Sequence, residues 1–186
     1  VVLIMRLDDL NLSELLRSET QQGGHTTVAG VPVVLLDAGA VGLLRGELVL
    51  TVGLDAARRL ITRFAYAMGK RFAERSRVAI PWEDERTWQR AGARLSRLLG
   101  LASKYEIVPV RADDPDPPFA EAVVHESFEA EQHLVHVGLS REPACWIQSG
   151  FASGFMSTAF AGEHYLIERE CVGKGDAFCR HVIRSR

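Results

Sequence analysis

Apolar positions along the chain change their spacing more than once. From Asp37 to Val52 they recur at helical intervals, at Val41, Leu44, Leu48 and Val52, which predicts a helix closed by Gly53. Asp55 sits where an N-cap belongs. Ala57, Leu60, Ile61, Phe64 and Met68 then give the next helix an apolar face, with Arg58, Arg59 and Arg63 elsewhere. A third helical stretch runs from Glu83 to Leu99 and ends at Gly100. Beyond it the spacing alternates. Tyr105–Val110 reads as a strand, Asp113–Pro118 as a turn, and Phe119–Val124 as the returning strand. Helical spacing resumes after Ser127, over Phe128–Val137. Pro143 suits the first position of another helix, which would run to Phe160, with Gly162 ending it. His164–Glu170 and Phe178–Ile183 read as a closing hairpin around the loop Val172–Asp176. Upstream, Asn11–Ser18 suggests a short helix, Gly23–Gly24 a turn, and Val31–Leu36 a short strand or the lead-in to a helix. The order predicts one α/β domain of the α+β kind, an antiparallel sheet flanked by helices.

Composition narrows the function classes. The 186 residues suit one domain with a sizeable core. A net charge of −2 argues against a grip on a phosphate backbone. The basic cluster Lys70–Arg77 is interrupted by Glu74 and reads as a solvated helix face. No apolar run approaches the ~18 residues of a membrane span. Val1–Met5 is too short for a signal peptide and has no basic region before it. Three cysteines are an odd number and no disulfide framework, which fits a reducing cytoplasm with thiols free or holding metal. The first residue is not Met, and the chain stops soon after the last predicted strand, so a longer parent protein is expected.

The sharpest chemical feature is Cys171 and Cys179 on either side of VGKGDAF. Gly173 and Gly175 allow a tight loop that brings both sulfurs to one point. Cys145 lies upstream in the first turn of a predicted helix. Three thiolates need one more ligand for a closed tetrahedral zinc site, and Glu168, Glu170, His164 and His181 are the nearby candidates. Spacing alone does not separate such a site from three buried, inert cysteines.

The segments SFEAEQH, EPACWIQSGFASGF, EREC and the C-x7-C pair resemble the 4-vinyl reductase domain in the sensors of xylene- and phenol-responsive, sigma-54-dependent transcription activators. LLRGELVLTVGLDAARRLITRFAYAMG resembles the N-terminal half of the same sensors. The resemblance implies four zinc ligands, at positions that hold Cys145, Glu168, Cys171 and Cys179 here. Glu168 and Cys171 are three apart, so the strand carrying them must end or bulge before Cys171; Glu170 is the alternative fourth ligand. Arg169, Lys174 and Arg180 lie close in sequence to offset the negative charge.

The resemblance also implies a closed, mostly apolar pocket for a mono- or bicyclic aromatic. Ser96, Ala122, Val124, Trp146, Phe155 and Leu166 are its candidate lining residues. In phenol-responsive members a His and a Trp hold the hydroxyl. Those positions carry Ser96 and Val124 here, and the missing donors point to a hydrocarbon rather than phenol as effector. His125 adjoins Val124, but alternation points it to the opposite face. His133 and His136 are three apart, yet no carboxylate or Cys completes a metal site around them, so a partly exposed helix face is expected. The small residues of Ser149–Gly154 lack a nucleophile motif and suggest close packing or the edge of a cavity. The reading is a non-enzyme with two pseudo-similar halves, an effector sensor over residues 31–186, its zinc roofing the pocket. Residues 1–30 would help form a homodimer, and ATPase and DNA-binding domains would follow in the parent chain. A tetrapyrrole-reductase-type enzyme or accessory protein, and a non-sensing scaffold, are the alternatives.

Overall fold

The computed structural model describes residues 4–11, 15–19, 25–28, 31–102, 104–110 and 118–186. Among them, strands β1 (Leu16–Glu19), β2 (His25–Val28) and β3 (Val31–Pro32) form a small antiparallel sheet. Strands β4 (Lys104–Val108), β5 (Ala120–His125), β6 (His164–Glu170) and β7 (Cys179–Ser185) form a second one, in the order β4-β5-β7-β6, with every pairing antiparallel. Helices α1 (Ala38–Val52), α2 (Leu54–Ala79), α3 (Glu85–Arg90), α4 (Gly92–Leu98), α5 (Phe128–His136) and α6 (Trp146–Ala159) flank the sheets. The mixed antiparallel architecture expected from the sequence is present. The two sheets differ in strand number, three against four. No helix among the described residues is long and apolar enough to cross a membrane.

Several boundaries follow local chemistry. Asp37 caps α1 by accepting from the Ala40 amide at 3.0 Å, and Ser127 caps α5 by accepting from Ala130. Other elements depart from the sequence pattern. Residues 16–18 of the expected helix Asn11–Ser18 instead pair with β2 as part of strand Leu16–Glu19, because tertiary pairing overrides a weak local preference. The expected turns at Gly23–Gly24 and across residues 113–117 lie outside the described residues. Only the first two residues of Val31–Leu36 are strand. Gly53 at φ 82° both ends α1 and precedes α2, which leaves Asp55 in the first turn rather than at the cap. The stretch 83–99 breaks at Ala91 into α3 and α4. α6 starts at Trp146, three residues after Pro143, with Cys145 at the cap.

The largest correction concerns which helix faces are buried. α1 buries Gly42, Arg45 and Gly46, while Leu44 and Val52 of the predicted apolar face are exposed. α2 buries Ala57 and Ile61 as expected, together with Ala65, Gly69, Phe72, Ala73 and Ser76, but leaves Leu60 and Phe64 in solvent. Small residues decide both faces, because they let backbones approach. A Cβ on Gly42 would meet the His136 ring of α5. A Cβ on Gly150 would come within 2.8 Å of Ala65 Cβ, and one on Gly154 would land on the Tyr66 carbonyl oxygen. The small-residue run Ser149–Gly154 is therefore the contact between α2 and α6. Gly154→Ala is expected to cost on the order of 3 kcal/mol, since the clash is with backbone and the helices must separate. A lower denaturant midpoint at unchanged slope would register it.

The described part of the N-terminal segment belongs to the same core. Met5, Leu10, Leu15 and Val28 are buried with Phe72, Trp88, Leu95, Phe151 and Phe155. β2 pairs with β3 across the boundary at residues 30 and 31.

Candidate functional site

Four acidic side chains from four chain positions meet at one point. Cys145 caps α6, Glu168 sits in β6, Cys171 follows β6 and Cys179 opens β7. Their ligand atoms all lie within 4.8 Å of one another. The Sγ atoms of Cys145 and Cys179 are 3.6 Å apart, and those of Cys179 and Cys171 are 4.0 Å apart. Metal–sulfur bonds of about 2.3 Å in a tetrahedron put sulfurs about 3.8 Å apart, between these two values. The register shift between Glu168 and Glu170 is the bulge the spacing required. It leaves Glu168 on the inner face with His164 and Leu166. Glu170 turns outward to Arg180 at 2.9 Å and takes no part in the cluster.

The surroundings are built for sulfur that carries charge. The amides of Ala144 and Gly173 each donate to Cys171 Sγ at 3.3 Å, and the Cys145 amide donates to Glu168 Oε2 at 2.9 Å. Asp176 accepts from the Cys171 amide at 2.7 Å and closes the loop. Gly175 turns there at φ 94°, a conformation that favours glycine. A Cβ on Gly173 would press on Ala144 and on Cys171 Sγ. In the protein alone, hydrogen bonds from Cys145 and Cys179 hold the Cys171 thiol well below its ordinary range. The same contact with Cys171, then that with Cys179, then burial, push the Cys145 thiol up. Burial and the Cys171 charge push Glu168 up to about 8. The pocket thus resists full ionisation unless a cation balances it.

The basic residues expected to supply that balance are engaged elsewhere. Arg180 pairs with Glu170 and Glu121, and Lys174 lies against the Arg169 carbonyl and Asp176. Charge matching by sequence proximity fails because Arg180 alternates outward on β7 and Lys174 closes the loop turn against Asp176. A metal ion fits the donor set, and these four residues could hold it.

Beside the cluster, α3, α4, α6 and the four-stranded sheet line a partly open cavity of about 580 Å³. Ser96, Phe155 and Leu166 are among its lining residues. Ala122 and Val124 are buried in β5 but are not among the lining residues, and Val124 packs against the cysteines. Trp146 is elsewhere altogether. It packs with Ala57 and Ile61 under the Arg45 guanidinium, 4.3 Å from its ring centroid, because the start of α6 faces α1 and α2. His125 faces Phe178 and Glu106, away from the cavity. His133 is fully buried rather than on an open helix face, with Nδ1 3.2 Å from Arg45, and it forms no metal pair with His136.

Polar lining residues that the sequence did not place at the pocket are Gln89, Arg90, Arg94, Arg97, Tyr105, Gln148 and His181. Burial pushes the Tyr105 hydroxyl up to about 12, so it stays protonated. Burial pulls His181 down to about 4, so its ring is neutral at physiological pH. A signal was available for His181. It is two residues after Cys179 on a strand, so it shares that residue's inward face. The Ser96 hydroxyl donates to the Gly92 carbonyl oxygen at 2.9 Å, within its own helix.

The model of the family described as activators of aromatic catabolism matches residues 11–113, more than half of the chain. The chain belongs to that family. A model of the 4-vinyl reductase domain matches residues 123–185, which carry all four cluster ligands, and the cavity lies between the two matched regions. The chain is similar to the phenol regulator MopR of Acinetobacter guillouiae, at 31% identity over 151 residues, 81% of this chain and 27% of that protein. It is similar at 30% identity over 155 residues to the transcriptional regulatory protein XylR of Pseudomonas putida, covering 82% of this chain and 27% of that one. The chain therefore spans about a quarter of the length of the curated relatives it matches. Among solved structures, the phenol-responsive sensory domain of the transcription activator PoxR, crystallised with phenol, superposes with a TM-score of 0.80 at 28% identity. That match covers 96% of this chain and 88% of that one. This member of the activator family thus has the fold of that sensory domain.

Proposed function

We propose that this chain is the effector-sensing domain of a transcription activator of aromatic catabolism, a cytoplasmic receptor rather than an enzyme. The observation that carries the reading is the cavity of about 580 Å³ in a chain that superposes on the PoxR sensory domain. The volume lies in the range of small-molecule sites, and Leu101, Ala152, Phe155, Met156, Leu166 and Ile183 give it mainly apolar walls. An aromatic that enters stabilises one conformation and shifts a population. In the parent protein that shift would relieve repression of an ATPase domain serving sigma-54 polymerase. Homodimerisation aided by residues 1–30, and a DNA-binding domain further along, complete the proposal.

Zinc is the proposed metal, held by Cys145, Glu168, Cys171 and Cys179. Three thiolates and a carboxylate suit zinc and leave no open position for a substrate water, so the ion would supply structure. It would tie the start of α6 to the β6–β7 hairpin.

Missing donors at positions 96 and 124 favoured a hydrocarbon effector. A hydrocarbon rather than phenol is therefore the proposed effector class. A thermal-shift panel of phenol, cresols, benzene, toluene, xylenes and biphenyls against an aliphatic control tests the receptor reading. A ligand specific for the folded state adds about 2.7 kcal/mol at a hundredfold excess over its Kd. At least one aromatic should raise the melting temperature while the aliphatic does not. No shift with any aromatic would defeat the reading.

A further inference from the structure

One lining residue of the cavity comes from neither the helices nor the larger sheet. Leu7, in the 3-10 turn Leu7–Asp9 near the start of the chain, is part of its wall. The side chain is partly buried against the core cluster that contains Met5 and Leu10, its neighbours on either side. Those two are 9% and 2% exposed, so the core grips the segment before and after Leu7.

The backbone around Leu7 is held as well. The Met5 amide donates to the Pro81 carbonyl at 2.7 Å, and the Glu83 amide donates to the Met5 carbonyl at 3.0 Å. The Asp9 carboxylate accepts from the Arg6 amide at 3.2 Å and closes the turn. Beyond Leu7 the holder is Arg94 of α4, which also lines the cavity. Its Nη2 donates to the Asp8 carbonyl at 2.8 Å and its Nε to the Leu10 carbonyl at 3.2 Å. Nη1 lies 3.3 Å from the Asp8 carboxylate, which is 97% exposed and contributes little. A guanidinium presents its donors in a rigid planar fork, so two carbonyls taken together fix the position of the segment. This arginine therefore serves the backbone of the wall.

We propose that Leu7 is a specificity-determining contact for the effector, and that Arg94 is the positioning residue that sets how far Leu7 closes the cavity. The assignment rests on the cavity being the effector site. It makes the N-terminal segment, offered above as a dimer contact, part of the binding wall. An apolar side chain in such a wall discriminates by size, because one methylene more or less in a hydrophobic pocket changes affinity about 10–200-fold.

The test is calorimetric titration of this 186-residue chain with toluene and with biphenyl, one ring larger. Leu7→Ala should raise the affinity for biphenyl relative to toluene at least about tenfold, and Leu7→Phe should lower it. Arg94→Met should shift the ratio in the same direction as Leu7→Ala, and Arg94→Lys should shift it less. Added to Leu7→Ala, Arg94→Met should change the ratio by less than about twofold, since it acts through Leu7. A merely structural role for either residue would lower the melting temperature and leave the ratio where it was. Should Leu7→Phe fail to fold, Leu7→Ala alone decides. A ratio unchanged in the folded Leu7 variants, or an Arg94→Met shift that persists in full on the Leu7→Ala background, overturns the proposal and leaves the receptor reading standing. Failure of the unmodified protein to bind either compound also overturns it, and failure to bind any aromatic overturns the receptor reading with it.

Discussion

Cys179→Ala is expected to leave the chain largely unfolded, and removal of metal from the unmodified protein by a strong chelator should do the same. Cys179 opens β7, the strand that pairs with both β5 and β6, so its sulfur sits where the larger sheet is joined. Its neighbours in the cluster come from the cap of α6 and from the end of β6, elements whose placement depends on the same point. A preformed site of this kind does not exist in an unfolded chain, so metal affinity is folding free energy. Structural zinc sites bind with about 10–16 kcal/mol at neutral pH. A whole domain is stable by only about 5–15 kcal/mol. Loss of one ligand therefore removes an amount comparable with the entire stability. Without the ion, three thiols and a carboxylate remain buried together, while Lys174 and Arg180 stay engaged with other carboxylates. Far-UV circular dichroism melts of the unmodified, chelated and Cys179→Ala proteins measure this, alongside metal analysis, which should give about one zinc per chain. Acid should act like the chelator, because protons compete with the ion for thiolates. A metal-free protein that melts at the same temperature would strike the ion from the proposed function and leave the cluster as buried thiols.

The cluster was legible in the sequence to an unusual degree, and the reason is physical. Three of its ligands are cysteines, and two of them bracket a short glycine-containing loop that must fold back, while Glu168 as the fourth came from the family resemblance. The bulge between Glu168 and Glu170 was also legible, since period-two alternation cannot place both Glu168 and Cys171 inward without one. Helix faces were not. α1 is apolar around most of its circumference, so hydrophobicity carries little directional information, and the glycines at 42 and 46 set the buried face instead. Trp146 was misplaced for a related reason. An aromatic beside a ligand cysteine suggests a pocket, but the turn into α6 points this one at Arg45. Leu16–Glu19 became a strand through a partner that only the folded chain supplies. Gln148 and His181 come to the pocket wall from α6 and β7, and no spacing within either segment encodes that placement. Arg45 is the clearest case. An arginine among leucines reads as the solvent side of a helix, yet it is 2% exposed.

Arg45→Met should destabilise the protein by about 3–5 kcal/mol, the range for removing one partner of a buried ion pair. Arg45 meets the Glu129 carboxylate where both side chains are shut off from solvent. It also donates to the Ala144 carbonyl at 2.7 Å, and its third contact is with His133 Nδ1 at 3.2 Å. The carboxylate in turn accepts from the amides of Ile147 and Gln148 at 2.7 and 3.0 Å, in the first turn of α6. One charge pair thus ties α1 and α5 to the start of α6, immediately beside Cys145. Burial pushes the Glu129 carboxyl up, and the Arg45 charge is the main influence holding it down. With Arg45 gone, Glu129 is left buried with only helix amides to face. Its folded pKa rises further above its unfolded value of about 4.3. The sign follows from that direction. The folded variant binds a proton that the unfolded chain releases, so its stability falls as pH rises from about 4.3 towards the folded pKa. Adding Glu129→Gln removes the stranded charge while keeping an acceptor for one helix amide. The double variant should therefore be more stable at neutral pH than Arg45→Met alone, with a coupling energy above about 2 kcal/mol and the added pH slope gone. Urea unfolding of the four proteins at two pH values measures both quantities. Single-variant costs below about 1 kcal/mol would mean that apolar packing and the close glycine contacts, rather than the ion pair, dock α1.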